Sequence, residues 1–453
     1  MDAITTKLAE YSHGLRFSDL AVEAVHATKG RLIDAFGCGL GGFESAPADI
    51  ARKLARARSG RPSARVLGTH MRTTVEAAAF ANTVMIRYLD ANDQYQGAKG
   101  SGHPSDVIGA VLAAGDLMRA SVPDVIAATV VGYEVFGALA EQVPIRDRGW
   151  DQGVFVAPAA AAATGRLLGL SRDQLGEAIA IAATAYVATR QTRAGDLSMW
   201  KGVATAAAAQ GGLWAALLAK EGMTGPTAAY SGQDGLWQQV TGEFQLGPLG
   251  AAPLAVERSN YKLFPAEFHA QAPLSVALEL RQHVGINLIA AINIRTYNML
   301  FGEIGSGSAK WDPQTRETAD HSLPYMLAAA LQDGELTPGS FAMERILDPT
   351  LRPLMDKVHI TEEPEFTALY PQTLVSEIEV LTTTGQRFVR RTDYPKGHVR
   401  NPLTDDDLSS KFRGFSRTHL GEDGAERALA ALWRLEEHER IGAVLELLDN
   451  GLT

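Results

Sequence analysis

Two runs of small residues, APAAAAATGRLLGL (157–170) and ATAAAAQGGLWAALLAKEG (204–222), most constrain what this chain can become. Alanine and glycine let helix backbones approach closely, and they give a strand little to pack. The same texture extends from the N-terminus to about residue 257. Ser18 to Phe36 is amphipathic. Thr73 and Glu76 have capping-box spacing ahead of VEAAAFANTVMIRYL, and Ser171 and Gln174 repeat it ahead of LGEAIAIAATAYVAT. A tightly packed multihelical domain follows from these patterns.

After Tyr261 the period changes. AINIRTYNML, KVHIT and VSEIEVLTTTGQRFVRRT alternate apolar and polar residues, and Thr384-Gly385 stands where a hairpin turn is needed. One helical stretch, HSLPYMLAAALQDG, interrupts them. From GHVRNPLTDDDLSSKF onward the pattern is helical again, with Ala425 to Leu448 reading as an amphipathic helix pair. The expected fold is mostly α. A large multihelical domain is built from both chain ends (1–257 and 396–453), and a smaller α+β domain (258–395) is inserted between them; 453 residues are too many for one ordinary core.

Composition excludes several function classes. The formal net charge of −10 argues against nonspecific binding to nucleic acid or to an anionic membrane. An anionic substrate would therefore need a local basic pocket. With Cys38 as the single cysteine, the chain can form no internal disulfide and cannot ligate an iron–sulfur cluster with its own thiolates. No basic n-region followed by an apolar run opens the sequence, and no uncharged stretch of about 18 apolar residues reads as a membrane span. A cytoplasmic enzyme is expected.

Four polar islands interrupt the apolar pattern. YLDANDQYQGAKGSGHPS (88–105) places Asp90, Asp93, Gln94 and His103 in a Gly-spaced loop, expected to leave a helix near Asn92 and to re-enter one with Ser105 as N-cap. A solvated turn is the plain alternative; an Asp and a His facing one cavity would instead form an acid–base pair near neutral pH. TRQTRAGDLSMWKG (189–202) carries Arg190, Arg193 and Lys201, either a solvated face or a carboxylate-binding pocket. YKLFPAEFHAQ (261–271) carries Lys262, Glu267 and His269, and TADHSLPYM (318–326) carries His321, Ser322 and Tyr325. Two further patterns carry less. Gly37-Cys38-Gly39-Leu40-Gly41-Gly42 has GxGxxG spacing, but RLIDAF before it is helical, which favours close helix packing over nucleotide binding. Asp90 and Asp93 have no second acidic cluster to help them hold magnesium and diphosphate, so no metal site is expected.

Together the segments YLDANDQ, GHPSDVIGAVLA, AAAAATGRLLGLS, LSMWKG, GMTGPTAAYSGQDGLWQQVTG, YKLFPAEFHAQ, KWDPQTRETADHSLPYMLAAALQDG and NPLTDDDLSSKF resemble the MmgE/PrpD family, from about residue 15 to 440. That family includes 2-methylcitrate dehydratases, cis-aconitate decarboxylases and an iminodisuccinate epimerase, and the resemblance is strongest to the dehydratase branch. It implies a helical domain with an α+β lid, an active site between them, a homodimer and no cofactor. Matched residue by residue, it implies a site with Asp90, His103, Lys201, Lys262 and Tyr325, and it offers Glu267 or His269 for the family's histidine; Asp90, His103, Lys201, His269 and Tyr325 are the catalytic groups expected. Asp93, Gln94, Arg190, Arg193, Lys262, Glu267, His321 and Ser322 would bind a small carboxylic acid. On this view Asp90 orients His103, and Tyr325 or His269 acts on the opposite face of the substrate. The chain also departs from the family. Trp150-Asp151-Gln152 stands where many relatives carry a histidine, and Val203-Ala204 where decarboxylase-like members usually do.

Overall fold

The computed structural model describes residues 1–58, 60, 63–195 and 197–451. Among these the chain is mostly α and divides into two compact units. The first comprises residues 1–195, 199–259 and those from 404 onward; the second comprises 260–403 with 197–198.

The first unit is built from α1 (Ala3–Gly14), α2 (Val22–Gly41), α3 (Ala46–Arg56), α4 (Val75–Tyr88), α5 (Ile108–Met118), α6 (Val122–Ala140), α7 (Gly153–Leu167), α8 (Arg172–Ala185) and α9 (Ala204–Lys220). The alanine-rich α7 is the hub, packed against α6, α8 and α9. Gly212 of α9 shows why small residues are needed: a Cβ there would collide with the Ala157 carbonyl of α7. The GxGxxG spacing lies inside and at the end of α2, where Gly37 and Gly41 meet Phe412 and Phe415 and Gly39 meets Leu67, so the glycines serve packing. Helix α6 is long and apolar enough to cross a membrane, but it carries Asp124 and Glu134 and most of it is buried within this unit.

The Ser171–Gln174 capping box forms at the start of α8. The Thr73–Glu76 box does not. Helix α4 starts after Thr74, and the Thr73 hydroxyl lies 2.7 Å from both the Ala55 and the Arg58 carbonyl, with its one proton to share between them. A long-range partner outcompetes the local cap. Two short antiparallel pairs also lie in this unit, β1 (Ser63–Arg65) with β2 (Arg72–Thr74), and β3 (Tyr95–Gln96) with β4 (Ser101–Gly102).

The second unit holds a four-stranded sheet of β5 (Ile289–Thr296), β6 (Val358–Glu362), β7 (Ser376–Thr382) and β8 (Arg387–Thr392), in the order β6-β5-β7-β8. The β5–β6 pair is parallel and the others antiparallel. Gly385 takes the left-handed φ of +82° that the β7–β8 turn requires. Burial alternates strictly along β7, so one sheet face packs against helix α10 (Gln271–Arg281), which in turn contacts α11 (Leu323–Asp333).

Residues 396–403, read from sequence as part of the helical return, belong to the second unit. Tyr261 N donates to Gly397 O at 2.8 Å, and Val399 N to Asn260 Oδ1 at 3.0 Å. The return itself is α12 (Asp405–Trp433), capped by a Thr404–Asp407 box and broken at Gly421, where φ is +71°. It packs along α2, and its buried Lys411 donates to Asp34 Oδ1 (2.6 Å) and to the Ala91 carbonyl (2.7 Å).

Candidate active site

Helix α4 ends at Tyr88, earlier than the Asn92 expected, and Asp90 then adopts a left-handed φ of +54°. That conformation costs a non-glycine residue roughly 1–2 kcal/mol, though aspartate tolerates it better than most. Asp90 is 2% exposed. Arg87 Nη1 donates to its Oδ1 at 2.8 Å, and Lys201 Nζ to its Oδ2 at 3.1 Å. A buried carboxylate needs such compensation. Lys201, on the short turn Met199–Gly202, is itself buried, so this part of the second island is not a solvated face.

His103 precedes the short 3₁₀ helix Pro104–Val107 and occupies its N-cap position, which the sequence assigned to Ser105. Ser105 instead donates its N–H to Asp93 Oδ1 at 3.2 Å. The His103 ring places Nδ1 2.5 Å from the Asp93 carbonyl, so Asp93, rather than Asp90, orients the ring at this nitrogen. A carbonyl can only accept. Nδ1 therefore carries the proton, and Nε2 is the nitrogen that gains or loses one. The backbone N of His103 donates to Gln152 Oε1 at 2.6 Å. Asp93 Oδ2 is buried with no hydrogen-bond partner among the described residues, and Gln94 is buried in the same loop.

Arg190 and Arg193 begin and end a 3₁₀ turn. Both face Asp151, Arg193 Nε at 2.8 Å and Arg190 Nη1 at 3.9 Å. Burial alone would raise the Asp151 pKa, but Arg193 and Arg190 outweigh it and hold the carboxyl below its ordinary range. Asp106 links the islands. Its Oδ1 accepts from Asn92 Nδ2 (3.0 Å), its Oδ2 lies 3.9 Å from Arg87 Nε, and Arg193 acts on it electrostatically. The first unit thus draws Asp90, Asp93, His103, Arg193 and Lys201 into one largely buried network, with the half-buried Arg190 at its edge. Arg87 and Asp106 belong to it too, and the sequence reading missed both. The one linear cue to Arg87 is its position three residues before Asp90.

Burial pushes the Asp106 pKa up to about 7, with Asp93 adding to the rise and Arg87, Thr205 and Arg193 opposing it. The folded chain thus retains a proton that the unfolded chain loses near its ordinary carboxylate pKa of about 4. Stability owed to this proton is lost as pH rises through about 7. Asp106→Asn is expected to gain melting temperature relative to the parent as pH goes from about 5 to about 8. Melts at both pH values check this, and a gap that is constant or shrinks would refute it.

In the second unit Lys262 is buried, and Glu267 Oε2 accepts from His269 N at 2.6 Å. His269 Nδ1 lies 2.7 Å from the Tyr297 hydroxyl, and Tyr297 stacks on Tyr370 with ring centroids 5.0 Å apart. Burial, together with Tyr370 and Glu267, raises Tyr297 well above its ordinary pKa and keeps the hydroxyl protonated. His321 Nδ1 meets Asp320 Oδ1 at 2.7 Å, and Asp320 Oδ2 accepts from Arg316 Nη1 at 3.1 Å. Asp320, fully buried beside a histidine already singled out, is a further group the sequence reading passed over. Ser322 is a helix cap: its Oγ accepts from Tyr325 N at 3.2 Å and donates to the Lys310 carbonyl. Tyr325, expected to be catalytic, is fully buried and donates its hydroxyl to the Ser340 carbonyl. At the third position of α11 it faces the core, where it acts as a strut.

The MmgE/PrpD N-terminal domain model matches residues 6–249, and the MmgE/PrpD C-terminal domain model matches 264–437. The chain is 30% identical to a 2-methylcitrate dehydratase of Salmonella typhi, over 82% of this chain and 81% of that one. It is also 30% identical to a 2-methylcitrate dehydratase of Cupriavidus necator, over 84% of each. A cis-aconitate decarboxylase of Mus musculus is 27% identical, over 99% of this chain and 94% of the relative. These are names of lyases, which supports an enzyme of the lyase kind. Two domain models, matched in order along nearly the whole sequence, and relatives of this likeness establish that the chain belongs to the MmgE/PrpD family.

Proposed function

We propose that the protein dehydrates a small hydroxy tri- or dicarboxylic acid without a cofactor, converting 2-methylcitrate or a close citrate analogue to the cis-aconitate-type alkene. The observation that carries this reading is the buried network of the first unit, in which His103, with its tautomer fixed, shares one cluster with Lys201, Arg190 and Arg193. His103 Nε2 removes the proton beside a substrate carboxylate. The electron pair forms the carbon–carbon double bond as the hydroxyl leaves, protonated, as water. Cations offset the charge that develops on the carboxylate as the proton departs. Lys262 and the other cations named above are assigned to substrate carboxylates. The second unit carries its own acid–base groups, His269 with Tyr297 and His321 with Asp320, and substituting each histidine in turn identifies the acid. Cys38 is the single cysteine, so this chain lacks the set of thiolates that an iron–sulfur cluster needs.

The test is chelator-treated protein incubated with 2-methylcitrate and with citrate, followed by ultraviolet absorbance of the conjugated alkene. Absorbance should rise with no release of CO2. Activity lost to chelator and restored by metal would sink the cofactor-free claim. Decarboxylation of cis-aconitate is the second reading, favoured by the nearly full-length match to the mouse decarboxylase. It predicts CO2 from cis-aconitate. Epimerisation of a small dicarboxylic acid would change optical rotation at constant mass. The working form in this proposal is a cytoplasmic homodimer, for which light scattering should return twice the chain mass.

A further inference from the structure

We propose that the adjacent pair Asp151–Gln152 is a two-armed clamp: Asp151 aims the Arg193 guanidinium at one substrate carboxylate, and Gln152 holds His103 in its working position. This rests on the roles given above to Arg193 and His103. Both clamp residues are buried immediately before α7, the hub of the first unit. The stretch is tied across to the arginine turn by its backbone, through the Trp150–Thr189 bridge and the 2.8 Å bond from Asp151 N to Ala188 O.

From this fixed base the two side chains reach different islands. Asp151 Oδ1 takes Arg193 Nε at 2.8 Å, and Asp151 Oδ2 takes the Thr192 hydroxyl at 3.3 Å. Because Asp151 occupies Nε, it leaves the outer edge of the fork, Nη1 and Nη2, to a ligand. Nη2 is shut off from solvent and has no hydrogen-bond partner among the described residues. A guanidinium held at Nε, with a buried Nη2 that lacks a partner among the described residues, keeps the planar donors that suit a carboxylate. Gln152 Oε1 meanwhile accepts the His103 N–H at 2.6 Å, so His103 is held at its backbone by Gln152 and at its ring by the Asp93 carbonyl. The Gln152 amide fits only because residue 102 is glycine; a Cβ there would collide with it.

Neighbours with separate tasks should give separate kinetics. Asp151→Ala is expected to raise KM about tenfold or more while kcat stays within about threefold. Gln152→Met, which keeps the length and loses the acceptor, should lower kcat about tenfold or more with little change in KM. Gln152→Glu keeps the acceptor and should retain at least about a third of kcat; its carboxylate should also move the His103 limb of the pH profile upward. Titration calorimetry with citrate gives the binding half of the test independently of turnover. Asp151→Ala should weaken citrate about tenfold, and Gln152→Met should not. If Asp151→Ala misfolds, Asp151→Asn takes its place, with a smaller loss in the same direction. Parallel changes in KM and kcat together with a lower melting temperature in both variants would reduce the pair to scaffolding and overturn the clamp. Full kcat in Gln152→Met alongside a dead His103→Gln would overturn the clamp alone. Full turnover in His103→Gln would overturn the catalytic reading beneath it.

Discussion

His103→Gln should lower kcat by about 10²–10⁴-fold, the usual worth of a well-placed general acid or base, with little change in melting temperature. The structure says why the fold should tolerate it. Glutamine can still donate near the Asp93 carbonyl, and the backbone bond from residue 103 to Gln152 does not depend on the side chain. What is lost is Nε2, the ring position that can take up and release a proton near neutral pH. Steady-state kinetics beside a thermal melt separate the two effects. A loss of less than about tenfold would remove His103 from the chemistry.

Asp90→Ala should cost stability about 3–5 kcal/mol, because it strands two buried cations. Arg87 and Lys201 both direct a charged nitrogen at this carboxylate from positions nearly closed to solvent. Alanine at φ +54° adds backbone strain. Adding Lys201→Met should recover part of the loss by removing one stranded charge, so the double variant should be more stable than Asp90→Ala alone. Denaturant titration of the parent, both single variants and the double variant checks this. Additive losses would show that the ion pair does not hold the loop.

The helical texture, the return of α12 and the alternation along β7 were legible because each is a local, repeated pattern. The Ser171–Gln174 box was legible for the same reason, whereas the identically spaced Thr73–Glu76 failed because Thr73 finds the Ala55 and Arg58 carbonyls far along the chain. The same limit applies at the site. Asp90, His103, Arg193 and Lys201 stood out as polar residues in apolar surroundings. Arg87 sits inside a helix, where a charge ordinarily faces solvent, and its i,i+3 spacing to Asp90 is the one cue that it turns inward. Asp151 and Gln152 looked like a departure from relatives; in the fold they join two islands. Tyr325, expected to be catalytic from the HSLPY match, lies three residues into α11 with its hydroxyl on the Ser340 carbonyl, a long-range bond that no local pattern announces.

The most direct test of the central claim is proton NMR of 2-methylcitrate with chelator-treated parent protein and with His103→Gln. Alkene signals should appear with the parent at a rate that chelation leaves intact, and His103→Gln should slow them by at least about a hundredfold. Equal rates in the two proteins, or a parent that leaves the hydroxy acid untouched and instead releases CO2 from cis-aconitate, would contradict it.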